Sequence, residues 1–161
     1  MTVRLAGVAD AAAIRAIYNR EVTEATSTFD MVPRSEADQL EWLRAHDGAH
    51  PAVVSIAADQ VTGFGSISPF KERPAYATTV EDSVFVHQDH RGAGVGKMIV
   101  NELVRLATSH GFHAMIARIV GGNEASINVH KVCGFEIVGV EREVGRKFGK
   151  WLDVVEMQRL L

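Results

Sequence analysis

The chain contains one cysteine, Cys133, so it cannot close an internal disulfide. It also lacks an apolar N-terminal run resembling a signal peptide or a spanning helix. With neither feature, a reducing cytoplasm is the expected compartment. Positive charge is not in excess: 17 Lys and Arg against 20 Asp and Glu leave a formal net charge of −3, and the basic residues are dispersed. A general nucleic-acid binder, or a protein seated on an anionic membrane, needs a basic face, so both classes are set aside. Repeats, low-complexity tracts and linkers are missing too. His87 with His90, and His110 with His113, form HxxH pairs, but neither has a Glu or Cys at zinc-like spacing, and no metal is expected. Cys133, at the end of an apolar helix face, reads as a small buried thiol.

What is there is apolar and periodic. At 161 residues, with 47% of them hydrophobic, the chain is long enough to bury one sizeable core, and a single domain over 1–161 is expected. Thr2 to Leu5 reads as a strand, and Asp10 as the N-cap of a helix carrying Ala13, Ile14, Ile17 and Tyr18. After a Thr-rich turn, Ser35 with Asp38 resembles a capping box opening a second helix with Leu40, Trp42 and Leu43. Ala52 to Ala58 and Thr62 to Ser68 form a hairpin turning at Asp59 and Gln60, which Pro69 ends. Thr78 to His87 is a fourth strand. A third helix spans Lys97 to His110, and Ala114 to Val120 is a continuous apolar strand. A fourth helix starts at Gly122 or Asn123 and stops at Gly134, a natural C′ glycine. Phe135 to Glu143 and Trp151 to Leu160 close the chain as strands around a turn at Gly145 to Gly149.

The most informative segment is Arg91, Gly92, Ala93, Gly94, Val95, Gly96, Lys97. Its RGxGxG run lies between the fourth strand and the third helix. Glycines let successive N–H groups turn inward, and a helix start adds free donors and a favourable dipole, so the segment is built to hold phosphate. Arg91 and Lys97 would add positive charge. A ligand-free left-handed turn is the plainer alternative. Spacing decides which phosphate ligands are excluded. Gly92 to Lys97 reads GxxxGK followed by Met98, not a P-loop, and GxGxG without a distant acidic partner is not the dinucleotide fingerprint.

The RGxGxG run instead resembles that of the GNAT superfamily of N-acetyltransferases. A second signal is NEASINVHKVCGF, Asn123 to Phe135, similar to the superfamily's Asn, Ala, Tyr, Gly, Phe pattern. His130 stands where most members carry tyrosine. Together with TVEDSVFVHQDHRGAGVGK, RPAY and EVGRKFGKWLDVVEMQ, this makes the chain similar to the phosphinothricin and methionine-sulfoximine acetyltransferase branch. The resemblance covers the chain. It implies an α/β fold (α+β by some schemes), with a central mixed, mostly antiparallel twisted sheet of about seven strands flanked by about four helices. It also implies acetyl-CoA as cosubstrate and, through the KFGKWLDV stretch, a homodimer.

Only a neutral amine attacks a thioester, and an α-amine of pKa about 8 is mostly ammonium at neutral pH. A base is therefore useful, and Glu81 in the TVE motif is the candidate, directly or through water. On residue type alone it could equally be a solvent-facing strand residue. His130 could donate a proton to the leaving thiolate, or simply pack beside the cofactor. The resemblance places the backbone of Phe85 and Val86 against the pantetheine and the thioester carbonyl. Asn123 and Ser126 match positions that contact pantetheine or phosphate, though both could act as helix caps. For the acceptor, Arg73 in KERPAY offers a planar fork for a carboxylate or phosphinate, with Glu72 and Tyr76 as neighbours. Phe29 in STFD resembles an aromatic pocket wall, or else packs between helix and loop. The expected activity is acetylation of the α-amino group of a small amino acid such as methionine sulfoximine, methionine sulfone or phosphinothricin. The alternatives are a non-catalytic acyl-CoA sensor and an acetyltransferase for another amine, such as a protein N-terminus.

Overall fold

The computed structural model describes residues 1–161 and lays seven strands in one sheet. The strands are β1 (Thr2–Leu5), β2 (Ala52–Ala57), β3 (Gln60–Pro69), β4 (Thr79–Val86), β5 (Ala114–Val120), β6 (Glu136–Lys147) and β7 (Lys150–Leu160). Their order across the sheet is β1-β2-β3-β4-β5-β7-β6. Every pairing is antiparallel except β4 with β5. The helices are α1 (Ala11–Glu24), α2 (Glu36–Ala45), α3 (Val95–Ser109) and α4 (Glu124–Val132). The sequence's element order and its mixed, mostly antiparallel sheet are both realised.

Each face of the sheet is covered by its own helices. On one face α1 contributes Ile14, Ile17, Tyr18 and Val22 to a cluster with Val54 and Phe64. Val54 pairs with Phe64 across β2 and β3, and Phe64 with Phe85 across β3 and β4, so the three side chains run across the sheet beneath α1. On the other face α3 buries Val95, Ile99, Val100, Leu103, Val104 and Ala107, a helical stripe that meets Val53, Ile67, Val80, Met115 and Met157. Each fully buried aliphatic side chain there contributes roughly 1.5–3 kcal/mol.

Three of the differences in element ends from the sequence reading have a clear local reason. Asp10 does not cap α1 with its side chain; its carboxylate accepts from Gly7 N–H and from the Arg4 guanidinium, and a 3-10 turn at Val8–Asp10 leads into the helix. The β2–β3 turn is at Ala58 and Asp59, and the β6–β7 turn at Phe148 and Gly149, each with both φ values positive. Such two-residue turns match the twist of the flanking strands, so β6 runs on to Lys147 where a longer turn was expected. Ala58 and Phe148 are poor sequence markers for that conformation. The Ser35–Asp38 capping box is present in both directions, Asp38 N–H donating to Ser35 Oγ at 3.1 Å and Ser35 N–H to Asp38 Oδ2 at 2.8 Å.

One irregularity positions the site. β4 and β5 pair only from Thr79 with Ala114 to Asp82 with Ala117. Beyond that point Ser83 to Val86 pair only with β3, and Arg118 to Val120 only with β7. The two parallel strands therefore part and leave a cleft with unpaired backbone edges at the middle of the sheet.

Candidate active site

At the mouth of this cleft β4 passes into the RGxGxG turn and α3. Gly92 and Gly94 have φ of 76° and 81°, left-handed values that a side chain would strain. The N–H groups of Gly92, Ala93, Gly94, Val95, Gly96 and Lys97 find no acceptor in the protein, and the α3 ladder begins with Met98 N–H donating to Gly94 O. A helix start ordinarily leaves four such donors free, so the turn lengthens the row, and the helix dipole adds to its pull on an anion. Arg91 is fixed at the rim, its guanidinium donating to Glu21 Oε1 and to Val86 O at 3.4 Å. Ser27 Oγ donates to the other Glu21 oxygen, and Glu21 is buried. A cavity of about 560 Å³ runs from this turn into the cleft, walled by Val84, Phe85 and Val86 of β4 and by Asn123, Ser126 and Val129 around α4. Asn123 Oδ1 accepts from Ser126 N–H at 3.3 Å, so it caps α4 and faces the cavity at once.

A second cavity, of about 260 Å³, opens from the α1 and α2 side and is lined by Glu81, Phe29, Arg34, Trp42 and Arg118 among others. The two cavities adjoin at Ser27, Phe85 and Val120, which belong to the walls of both. Glu81 makes no side-chain hydrogen bond within the protein. Burial pushes its carboxyl pKa up, Arg118 pulls it down, and the like charges of Asp82 and Glu156 raise it further, so the net shift is upward. Its neighbour Asp82 points to the other face and meets His130, with Nε2 of the ring 3.0 Å from Asp82 Oδ2 and Nδ1 2.8 Å from Ser126 O. A carbonyl only accepts, so Nδ1 carries a proton, and one further proton is shared between Nε2 and the carboxylate. Burial disfavours the imidazolium, but Asp82 by attraction and hydrogen bond, with Ser126 O, outweighs it and raises the pKa of His130.

The model of the acetyltransferase (GNAT) family matches residues 13–135. The chain belongs to the GNAT family. A methionine sulfoximine/methionine sulfone acetyltransferase of Pseudomonas aeruginosa is 41% identical over 159 residues, spanning 98% of this chain and 92% of the relative. A phosphinothricin N-acetyltransferase of Streptomyces coelicolor is 36% identical over 149 residues, with 90% and 87% covered. The crystal structure of a GNAT superfamily phosphinothricin acetyltransferase from Sinorhizobium meliloti with acetyl-CoA superposes with a TM-score of 0.95 at 38% identity, covering 99% of this chain and 88% of that one. Acetyl-CoA is the cosubstrate of GNAT acetyltransferases, and the donor row, the unpaired β4 edge and the cavity between them fit its phosphates and its extended pantetheine arm.

Within this GNAT site the structure gathers Phe85, Val86, Arg91, Gly92, Gly94, Val95, Gly96, Lys97, Asn123 and Ser126 around one cavity; Ala93 sits in the same turn but not in the wall. Phe29 and Glu81 line the second cavity. His130 is in the wall of neither of these two cavities, but it lines a smaller one, of about 70 Å³, with Asp82, Phe85, Val120, Asn123 and Ser126. It is 2% exposed, and the hydrogen bonds of both ring nitrogens are spent on Ser126 and Asp82. Arg73 and Tyr76 lie on an exposed 3-10 turn outside both cavity walls, Tyr76 against Phe70 with ring centroids 5.6 Å apart. Sequence reasoning missed Glu21, Arg34, Asp82 and Arg118. For Arg118 a signal existed, a lone charge inside the apolar run AMIARIV. Arg34 lies in a polar turn that looks like any other.

Proposed function

We propose that the protein transfers the acetyl group of acetyl-CoA to the α-amino group of a small amino acid of the methionine sulfoximine, methionine sulfone or phosphinothricin type. Both substrates are bound when the amine attacks directly. The observation that carries this reading is that the two cavities share Ser27, Phe85 and Val120 in their walls, with an unpartnered Glu81 on the acceptor side. The acceptor cavity is just below the ~300–1,000 Å³ of ordinary ligand pockets, which suits an amino acid better than a polypeptide end with its following residues.

Bound acetyl-CoA supplies the acetyl group as a thioester. The residues of the chain then do three things. The free N–H row from Gly92 to Lys97, with Arg91 and Lys97, holds phosphate, while the unpaired edge of β4 at Phe85 and Val86 holds the pantetheine and polarises the carbonyl. Glu81, its pKa raised by burial towards the working range of a base, takes the proton of the acceptor ammonium, directly or through one water. The new N–C bond forms as the C–S bond breaks, and the second amine proton, lost as the amide forms, passes to water or to the departing thiolate of pKa about 8.5, so no separate acid is obligatory. His130 contributes by holding Asp82 and the first turns of α4, which borders the cofactor cavity.

We further propose a cytoplasmic homodimer. The edge strand β6 and the hairpin tip expose Ile137, Val138, Val140, Val144, Phe148 and Trp151, an apolar stretch that supports pairing with a second copy. The free, buried Cys133 is compatible with a reducing compartment. No helix is long and apolar enough to cross a membrane. The experiment that tests the activity is thiol release from acetyl-CoA across a panel of these analogues, ordinary amino acids and peptide amines. Turnover of the sulfone or phosphinate amino acids is expected. Tight CoA binding with no release to any amine would replace the reading with a sensor.

A further inference from the structure

Two guanidinium groups face the acceptor cavity, and they differ in how their charge is satisfied. Arg118 is paired with Glu141 at 2.5 Å and with Glu156 at 3.4 Å. Arg34 forms no ion pair at all. Its only side-chain hydrogen bond in the protein goes to the neutral Gln39 Oε1 at 3.2 Å. Two acids, Asp30 and Asp38, act on it through space only, and each spends a carboxylate oxygen elsewhere, Asp30 on the Tyr18 hydroxyl and Asp38 on Ser35 N–H.

Arg34 is nevertheless held firmly. Asn19 of α1 grips its backbone at both polar groups, donating Nδ2–H to Arg34 O at 2.9 Å and accepting Arg34 N–H on Oδ1 at 2.8 Å. The guanidinium carbon lies 3.7 Å from the Tyr18 ring centroid and 4.8 Å from that of Trp42. Stacking of this kind restrains the fork in the cavity wall, with only one of its nitrogens committed, to Gln39. A half-buried, pinned and unpaired cation in the wall of a ligand cavity calls for an anion, because desolvating a charge without a partner is costly.

We infer that Arg34 is the specificity-determining residue for the acceptor's α-carboxylate, holding the amino acid so that its amine faces Glu81 in the same cavity. The inference rests on the acetyl-transfer reading above for the identity of the acceptor. An α-amine and its carboxylate share one carbon, so a single small cavity with a carboxylate base and a free guanidinium matches the two charged groups of an amino acid in pairs. An amine without an adjacent carboxylate would leave Arg34 unpaired and would bind more weakly.

Calorimetric titration of the full chain saturated with CoA, which binds without turnover, tests this using L-methionine sulfone and its α-carboxamide. The wild type is expected to prefer the acid by roughly 10–100-fold, the range for a hydrogen bond to a charged group. Arg34→Gln and Arg34→Met should abolish that preference with CoA affinity unchanged, which shows that each variant is folded, and Arg34→Lys should restore part of it. A wild type indifferent to acid or amide, or a neutral variant that keeps the wild-type ratio, would overturn the assignment. A wild type that shows the preference but never acetylates the acid would uphold Arg34 and sink the transfer reading instead.

Discussion

Replacing Glu81 by Gln isolates proton removal from shape. Glu81 accepts no hydrogen bond from the protein, so the amide breaks no internal network, and the side chain keeps its size within the acceptor cavity. Loss of a positioned base costs typically 10²–10⁴-fold in rate, about 3–5 kcal/mol at 1.36 kcal/mol per tenfold. The turnover number should fall by about that range while acetyl-CoA affinity, set by the turn of Gly92 to Lys97 on the far side of Phe85, stays constant. The pH profile provides a second measure. Burial raises the pKa of Glu81, so the base is ionised, and kcat/KM rises, only above the usual carboxylate range near 4.3. That acidic limb should vanish in Glu81→Gln, while the limb from the acceptor's own ammonium, near pH 8, remains in both proteins. Thiol release measured from pH 5 to 9 with methionine sulfone as acceptor reads both quantities. Equal turnover in the two proteins, or an unchanged acidic limb, would remove Glu81 from the reaction and leave water alone as the base.

Three further outcomes follow from contacts already described. His130→Phe strands the buried Asp82 carboxylate and should cost about 3–5 kcal/mol, lowering Tm by roughly 6–20 °C, with Asp82→Asn in addition recovering part of it. Because His130 has a raised folded pKa, the pair's stabilisation is complete below the unfolded value near 6.5 and is lost as pH rises through the folded one. The Tm gap between wild type and the double variant should therefore narrow at alkaline pH, and a gap that widens would refute the shared-proton assignment. Gly145→Ala would set a methyl 2.3 Å from Phe29 Cε2 and 2.7 Å from Cζ, forcing the half-exposed ring out of the acceptor wall. The amino-acid KM should rise about 3–10-fold with that for acetyl-CoA unchanged. Arg73→Ala should raise the amino-acid KM less than about fivefold, since an exposed cation contributes roughly 0–1 kcal/mol. A tenfold rise would return the carboxylate clamp to the KERPAY loop.

The cofactor side was legible in the sequence because its chemistry is carried by backbone. Glycines at Gly92 and Gly94 announce positive φ, and a helix start announces free donors, so both can be read from order along the chain. The strands were legible from their apolar runs, with β5 found to the residue. The acceptor side depends on which side chains from distant segments converge, and periodicity says nothing about that. Arg34 shares a cavity with Glu81 only because Asn19 pins the turn before α2 against α1, a contact across 15 residues that leaves no local pattern. For His130 the sequence showed the substitution but not its partner. The signal was the second carboxylate of the Glu81–Asp82 pair, whose alternation on a strand sends one residue to each face.

That alternation is the physical basis for proposing a base, Glu81, and no acid in the reaction. Neighbouring carboxylates on β4 face opposite layers, so Glu81 enters the acceptor cavity unpartnered while Asp82 is consumed by His130 under α4. A protonated imidazole in reach of the sulfur would assist departure, yet here that proton is shared with a buried carboxylate, and Ser126 O takes the other N–H. Releasing it would break a buried pair at a cost of about 3–5 kcal/mol. The gain would be small for a thiol of pKa about 8.5, which is already a competent leaving group. Drawing the proton from His130 therefore costs more than the leaving group needs. The demanding step is the removal of a proton from the incoming ammonium, and the group at that place, Glu81, is the one that no other residue of the chain holds.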